Sequence, residues 1–288
     1  MQLLLSLRPR QWVKNLFVLA PLVFAEHAAD GALVVRAAAA FGLFSLLSGC
    51  VYLLNDIVDV ESDQAHPVKR HRPIASGRLP LSQARLALAI LILLTVGASF
   101  ALDLRFAAVG LAYFVLNVGY SFALKHIAFI DVLTIATGFI LRLFAGALAI
   151  DVPLSLWLGL CTFLLATYLG LGKRRHELLL SLETGVRSRK VLSAYHPRSL
   201  SLVMGGFCVA TAAAYGAYVM LGETLASYSP STLWPTIPCV LVGLGRFYQL
   251  TSRDVTGSSP TEAMLTDWPF VLNIAVWTGL VVWVIYLP

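Results

Sequence analysis

The stretch YLLNDIVDVESDQAHPVKRHRPIASGRLP carries Asn55, Asp56, Asp59 and Asp63 at the end of a long apolar run. At roughly 100° per residue, a helix would bring the three aspartates within about 60° of one face, with Asn55 about 40° outside it. Carboxylates crowded on one stripe repel each other, and near a bilayer core they are costly and point to function. A hard divalent cation relieves that repulsion. Mg²⁺ suits oxygen ligands, and on few carboxylates it completes its shell with waters and substrate phosphates; Mn²⁺ meets the same criterion of ligand hardness. The residues that follow, Lys69, Arg70, His71, Arg72 and Arg78, are the donors a polyphosphate requires. A merely hydrated loop after a membrane helix has no reason to line its acids up in this way.

The elements that must position these groups are membrane helices. The 288 residues are 58% hydrophobic and only 12% charged, and the mean hydropathy is +0.80. That composition fits an all-α polytopic membrane protein. Continuous apolar runs exclude a β-barrel, whose strands would alternate. Nine spans are predicted, near 12–27, 32–56, 82–102, 105–123, 128–149, 154–172, 199–221, 232–250 and 269–287, in one domain covering 1–288. The run Asn15–Ala25 has the length of a signal-peptide core and is preceded by Arg8, Arg10 and Lys14, but the apolar Gln2–Leu7 before it favours a first span from about Trp12.

With the amino terminus inside, 18 of the 21 lysines and arginines fall in inner segments. This positive-inside bias sets the orientation: cytoplasmic amino terminus, external carboxyl terminus, in a cell (inner) membrane. The long polar loops 57–81, 173–198 and 251–268 are then all cytoplasmic, so the working face is too. The net charge of +6 is a consequence of topology, and no nucleic-acid partner is expected. Cys50, Cys161, Cys208 and Cys239 lie singly in apolar runs and read as small core residues.

Other polar residues have two readings each. Arg10 and Lys14, at i and i+4, match the level of a lipid phosphate or simply anchor the topology. Lys125 and Asp131 lie at the inner membrane surface, where Lys125 could be an ordinary snorkelling anchor. Asp131 and Arg142 share a helix face three turns apart, too far for a direct pair. Arg142 is deep in a span and must face a polar cavity or bridge to another helix, since lipid exposure is expensive. The run GKRRHE, with Lys173 and Arg174, could bind an anionic substrate or lipid headgroups, and Glu177 could pair with Lys173. Asp267 precedes the last span as a candidate N-cap. There is no GxGxxG, P-loop, HExxH or Gly-x-Ser-x-Gly motif.

The N-D-x-x-D-x-x-x-D pattern at Asn55, Asp56, Asp59 and Asp63 resembles that of the UbiA superfamily of intramembrane transferases, and the resemblance covers essentially the whole chain. It implies nine transmembrane helices around a central cavity open to the cytoplasmic side and to lipid. Within the superfamily, RPRQWVKN (Arg8–Asn15), the run Asn55–Gly77, YSFALK (Tyr120–Lys125) followed by Asp131, and GKRRHEL (Gly172–Leu178) look like the branch of decaprenyl-phosphate phosphoribosyltransferases. Aromatic prenyltransferases of the superfamily carry a second Asp-rich motif after the sixth span. Here that place reads KRRHELLLSLETG, without an aspartate. One acidic motif with extra cations suits one metal site and more phosphate.

The resemblance therefore implies Mg²⁺-dependent transfer of 5-phosphoribosyl from phosphoribosyl diphosphate to a polyprenyl phosphate. Asp56, Asp59 and Asp63 would hold the metal, and Lys69 and Arg72 would assist the leaving group. Arg10 and Lys14 would hold the lipid phosphate. Asn55, Arg70, Tyr120, Lys125, Asp131, Arg142, Lys173 and Arg174 would contact the substrates. The rival enzyme reading is prenyl transfer from a polyprenyl diphosphate to an aromatic acceptor. The rival of another class is a transporter, disfavoured by an external half nearly free of ionisable groups and by the lack of an internal repeat.

Overall fold

Leucine, alanine, valine and phenylalanine dominate the long runs, and the computed structural model folds them as helices: it describes residues 1–66, 68–184, 190–222, 229–253 and 260–287. The helices are α1 (Gln2–Ser6), α2 (Ala20–Phe24), α3 (Gly31–Val58), α4 (Val60–Gln64), α5 (Leu81–Leu102), α6 (Leu104–Phe122), α7 (Ile130–Ala149), α8 (Leu156–Thr184), α9 (Pro197–Leu221), α10 (Ile237–Arg253), α11 (Pro260–Thr266) and α12 (Trp268–Tyr286). Parts of the three predicted cytoplasmic loops, position 67, 185–189 and 254–259, lie outside the described residues.

Seven helices among the described residues are long and apolar enough to cross a membrane: α3, α5, α6, α7, α8, α9 and α12. Their exposed faces are largely apolar away from the helix ends. Leu93 of α5 is 75% exposed and Leu202 of α9 is 77% exposed, a surface suited to lipid rather than water. The chain is a multi-pass membrane protein. Two of the predicted spans take other forms. The 12–27 region is a 3₁₀ segment, Pro9–Val18, followed by the five-residue α2, with prolines near the start of both pieces. The 232–250 region begins as a 3₁₀ turn containing Pro235 and continues as the 17-residue α10.

The sixth predicted span runs about a dozen residues past its expected end. α8 is 29 residues long, about 43 Å, against a ~30 Å hydrocarbon core. Its Lys, Arg, Glu and Leu residues are strong helix formers, and Arg174 pairs with Glu177 one turn on. The GKRRHEL motif is therefore displayed on a rigid helix and not in a loop.

The chain forms two compact units. The first is Met1–Phe122 with Leu141–Leu154, and the second is Ala123–Ile140 with Ser155–Pro288. In the first unit, Val18, Phe44, Leu47, Val51, Phe106, Tyr113 and Ala145 form the main core. The 3₁₀ segment reaches this core because Gly146 has no side chain: a Cβ there would lie 1.9 Å from the Val18 carbonyl oxygen. In the second unit, Tyr168, Leu171, Leu178, Tyr195, Met204 and Phe247 are central. Gly172 makes room for Phe247, whose ring would be 2.4 Å from a Cβ at that position.

Candidate active site

In the first unit, α3 ends at Val58, Asp59 forms the break, and α4 resumes at Val60. The interruption is small, since the Asp59 N–H still bonds to the Asn55 carbonyl (2.9 Å) and the Asp63 N–H to the Asp59 carbonyl (2.8 Å). Asp56 and Asp63, seven residues apart, therefore keep a common face, and both are 2% exposed. Asp59 is half-buried, and its carbonyl accepts from the Ser62 hydroxyl at 2.9 Å.

The following loop returns a cation to this face. Ile74 and Leu79 bury themselves with Leu53 and Ala84 in a small apolar cluster. The Leu79 N–H bonds to the Pro73 carbonyl (2.9 Å), and the Ser76 N–H to the Arg72 carbonyl (2.9 Å). The neutral His66 Nδ1 accepts from the Val68 and Lys69 N–H groups (3.2 and 3.3 Å). So anchored, Arg72 Nη1 donates to Asp63 Oδ2 at 2.5 Å and to Asp56 Oδ1 at 3.2 Å. Lys69 is half-buried and Arg70 exposed on the same turn.

The amino-terminal segment supplies a second cation. Arg8 joins α1 to the 3₁₀ segment with a left-handed backbone (φ 53°, ψ 64°), a conformation that costs a non-glycine residue energy. Its Nη2 donates to Asp56 Oδ1 at 2.5 Å, and its guanidinium sits 4.9 Å from the centre of the Tyr52 ring. Arg10, one of the two predicted lipid-phosphate ligands, is exposed, and Lys14, the other, is partly exposed and lies near Arg142 and Arg8.

Asn55 accepts from the Ser121 hydroxyl, which ties the acidic stripe to the end of α6 beside the half-buried Tyr120. Arg142 is 6% exposed and bridges elements. Its Nε donates to Asn15 Oδ1 (2.8 Å) and its Nη2 to Tyr113 Oη (2.9 Å). Asn15 in turn donates to the Ser45 and Ser48 hydroxyls (3.1 and 3.0 Å).

The second unit has its own polar centre. Asp131 and Arg174 are each 0% exposed and approach to 2.5 Å (Oδ2 to Nε). The Nε–H is not aimed along this line, so the contact is an ion pair without an aligned hydrogen bond. The Tyr195 hydroxyl donates to Asp131 Oδ1 at 2.8 Å and accepts from the Phe129 N–H at 2.7 Å. Burial pushes the Tyr195 phenol above its ordinary range, so it remains a donor. Arg175 binds Ser201 Oγ (2.9 Å) and Ser252 Oγ (2.6 Å), fastening α8 to α9 and α10. Lys173 and Lys125 are half-exposed. Glu177 takes Arg174 as a partner.

Of the predicted site residues, Asp56, Asp63 and Arg72 meet directly, and so do Asp131 and Arg174. Arg8, Asn15, Tyr113 and Tyr195 were not predicted as site residues. Arg8 and Asn15 belong to the RPRQWVKN string, and Tyr195 is an aromatic residue stranded in a polar segment; these were the available signals.

No group of three or more His, Cys, Asp and Glu side chains converges among the described residues. Two carboxylates do, on a cation already lodged between them. The donors are oxygen only, and one guanidinium nitrogen spans both. That donor set fits a hard divalent ion that keeps further positions for water and phosphate.

The model of the UbiA prenyltransferase family matches residues 15–264. A decaprenyl-phosphate phosphoribosyltransferase of Corynebacterium glutamicum is 35% identical over 98% of this chain and 86% of its own length. The enzyme of that name from Mycolicibacterium smegmatis is 32% identical over 99% and 92%. Among solved structures, a UbiA homolog from Archaeoglobus fulgidus bound to GPP and Mg²⁺ superimposes with a TM-score of 0.73 over 99% of both chains at 16% identity. The all-helical architecture is thus that of UbiA proteins, and the chain belongs to the UbiA prenyltransferase family.

Proposed function

We propose that this protein transfers a 5-phosphoribosyl group from phosphoribosyl diphosphate to a polyprenyl phosphate of the decaprenyl type, within the membrane and with Mg²⁺. The observation that carries this reading is the buried acid pair, Asp56 and Asp63, set between Arg8 and Arg72, in a chain whose relatives bear that name over nearly its full length.

The residues divide the work as follows. Asp56 and Asp63, with Asp59 beside them, hold Mg²⁺, which when bound neutralises charge on the departing diphosphate. Arg72, Arg8 and Lys69 donate to the diphosphate oxygens, and Arg70 adds charge at the rim. An oxygen of the lipid phosphate bonds to ribose C1 as the bond from C1 to the diphosphate oxygen breaks. The attacking phosphate is already anionic, so no strong base is needed. Arg10 and Lys14 hold it. By resemblance, Lys125 and Lys173 hold the sugar phosphate, and Tyr120 lines the substrate path. Asn55, Arg142, Asp131 and Arg174 position these groups through the bonds described above.

The same reading carries nine crossings, counting 12–27 and 232–250, and one transferase domain with a chamber open on the cytoplasmic side of a cell (inner) membrane. The amino terminus is cytoplasmic and the carboxyl terminus external.

Purified protein is incubated with Mg²⁺, decaprenyl phosphate and radiolabelled phosphoribosyl diphosphate. Label is expected in the organic phase, on a lipid whose mass has grown by one phosphoribosyl group. Label reaching lipid only from a polyprenyl diphosphate, onto an aromatic acceptor, overturns the assignment in favour of prenyl transfer.

A further inference from the structure

We propose that Arg72, together with Arg8, keeps the place of the divalent cation between Asp56 and Asp63, and passes to the diphosphate when metal and diphosphate enter as one complex. The proposal rests on the metal assignment above and deepens it.

Three observations lead to it. First, Arg72 uses a single nitrogen, Nη1, to touch one oxygen of each aspartate, at 3.2 and 2.5 Å. A divalent ion held by both carboxylates would compete with Arg72 for these same oxygens, so the two cations would exclude one another there. Second, Asp56 Oδ1 takes both Arg72 and Arg8 (2.5 Å), which leaves that oxygen saturated. Third, the charges cancel: two carboxylates, each 2% exposed, face two guanidiniums, each 28% exposed.

The balance of charge then decides what can bind. A bare divalent ion would have to expel a guanidinium and leave it, still positive, beside the ion it made way for. A metal–diphosphate complex brings its own negative charge. The released guanidiniums then find phosphoryl oxygens, to which arginine bonds with two parallel N–H groups. Charge-assisted hydrogen bonds are exchanged and not lost. The consequence is reciprocal coupling: metal and diphosphate each bind better in the other's presence. Before substrate arrives, the acids are kept from other ions.

The test measures Mn²⁺ binding to full-length protein in detergent by the loss of the free-ion paramagnetic signal, with and without inorganic pyrophosphate. Wild-type protein is expected to bind Mn²⁺ weakly alone and roughly tenfold or more tighter with pyrophosphate, within the usual range of coupling. Arg72→Gln is expected to bind Mn²⁺ alone about tenfold tighter than wild type and to lose most of the pyrophosphate effect. Arg72→Lys keeps the charge but cannot reproduce the guanidinium bridge, and is expected to fall between the two. Thermal unfolding confirms that each variant is folded.

Arg72→Gln binding Mn²⁺ alone no better than wild type overturns the proposal. So does Arg72→Lys matching wild type while Arg72→Gln is tighter, because net charge then accounts for the effect. Failure of the underlying reading looks different: Asp63→Asn would leave Mn²⁺ binding unchanged even with pyrophosphate, whatever the arginine variants do.

Discussion

Asp131, at the start of α7, and Arg174, within α8, meet at 2.5 Å with neither side chain exposed to solvent. Tyr195 bonds to Asp131, and Glu177 pairs with Arg174. Buried pairs are expensive to assemble and more expensive to break, because the survivor is left charged and unmatched. Arg174→Met is expected to cost about 3 kcal/mol or more of stability. Adding Asp131→Leu should recover much of that loss. Thermal unfolding of the two single variants and the double variant measures the coupling. A double variant no more stable than Arg174→Met would show that the residues do not act as a pair.

Asp56→Asn and Asp63→Asn each remove a metal-seeking charge while preserving shape. Turnover should fall by about a hundredfold or more in each, at a temperature where the melting curve shows the variant still folded, since each change also breaks a buried ion pair. Transfer of label into lipid and a melting curve on the same sample make the comparison. Either variant turning over at the wild-type rate with Mg²⁺ would count against the acid pair as the metal seat.

Gly146 faces the Val18 carbonyl so closely that a Cβ would lie 1.9 Å from the oxygen. Backbone cannot yield as a side chain tip can. Gly146→Ala is expected to destabilise the protein by about 2 kcal/mol and to disturb the nearby Arg142–Asn15 bond. Gly159 of α8 has nothing within 4 Å of its missing Cβ, so Gly159→Ala is the control. It should be neutral or slightly stabilising, by up to about 1 kcal/mol. Unfolding temperatures of the two variants, read side by side, decide the point.

Asp267 caps α12 through the Phe270 N–H (2.9 Å) and takes two hydrogen bonds from Arg246 (3.0 and 2.6 Å). The Arg246 guanidinium holds its carboxyl below the ordinary aspartate value. A carboxyl whose folded value is depressed contributes stability above its unfolded value, near pH 4, and loses it as pH falls through the folded value. The gap in unfolding temperature between wild type and Asp267→Asn should therefore be open at pH 7 and close progressively below about pH 4. A gap that stays constant to pH 3 would assign the contribution to capping geometry alone.

Much of the candidate site could be read along the chain, because local spacing carries it. The interval from Asp56 to Asp63 is two helical turns, and the small break at Asp59 does not undo it. Asp267 as N-cap followed from its place before an apolar run, and it does cap α12. Other features were hidden because their partners are remote. Burial of Ile74 and Leu79 anchors the loop from which Arg72 reaches Asp56 and Asp63, a contact that the run of cations does not reveal by itself. Between Arg8 and Arg10, it is Arg8, with its left-handed backbone, that reaches Asp56, while Arg10 is exposed. The RPRQWVKN string marked the segment without marking the residue.

By itself the amino-acid sequence determined a multi-pass helical membrane protein with its acids on one stripe and its cations close behind. Hydropathy and helical period are short-range properties, and 58% apolar content leaves a chain of this kind no other way to satisfy its backbone. Tertiary structure decided which polar groups are neighbours: Arg142 with Asn15, 127 positions away, Tyr195 with Asp131, 64 away, and Arg8 with Asp56, 48 away. Such pairings depend on how whole helices pack, on the room left by Gly146 and Gly172, and on the cost of burying any charge without a partner, and none of these is a property of a local run of residues.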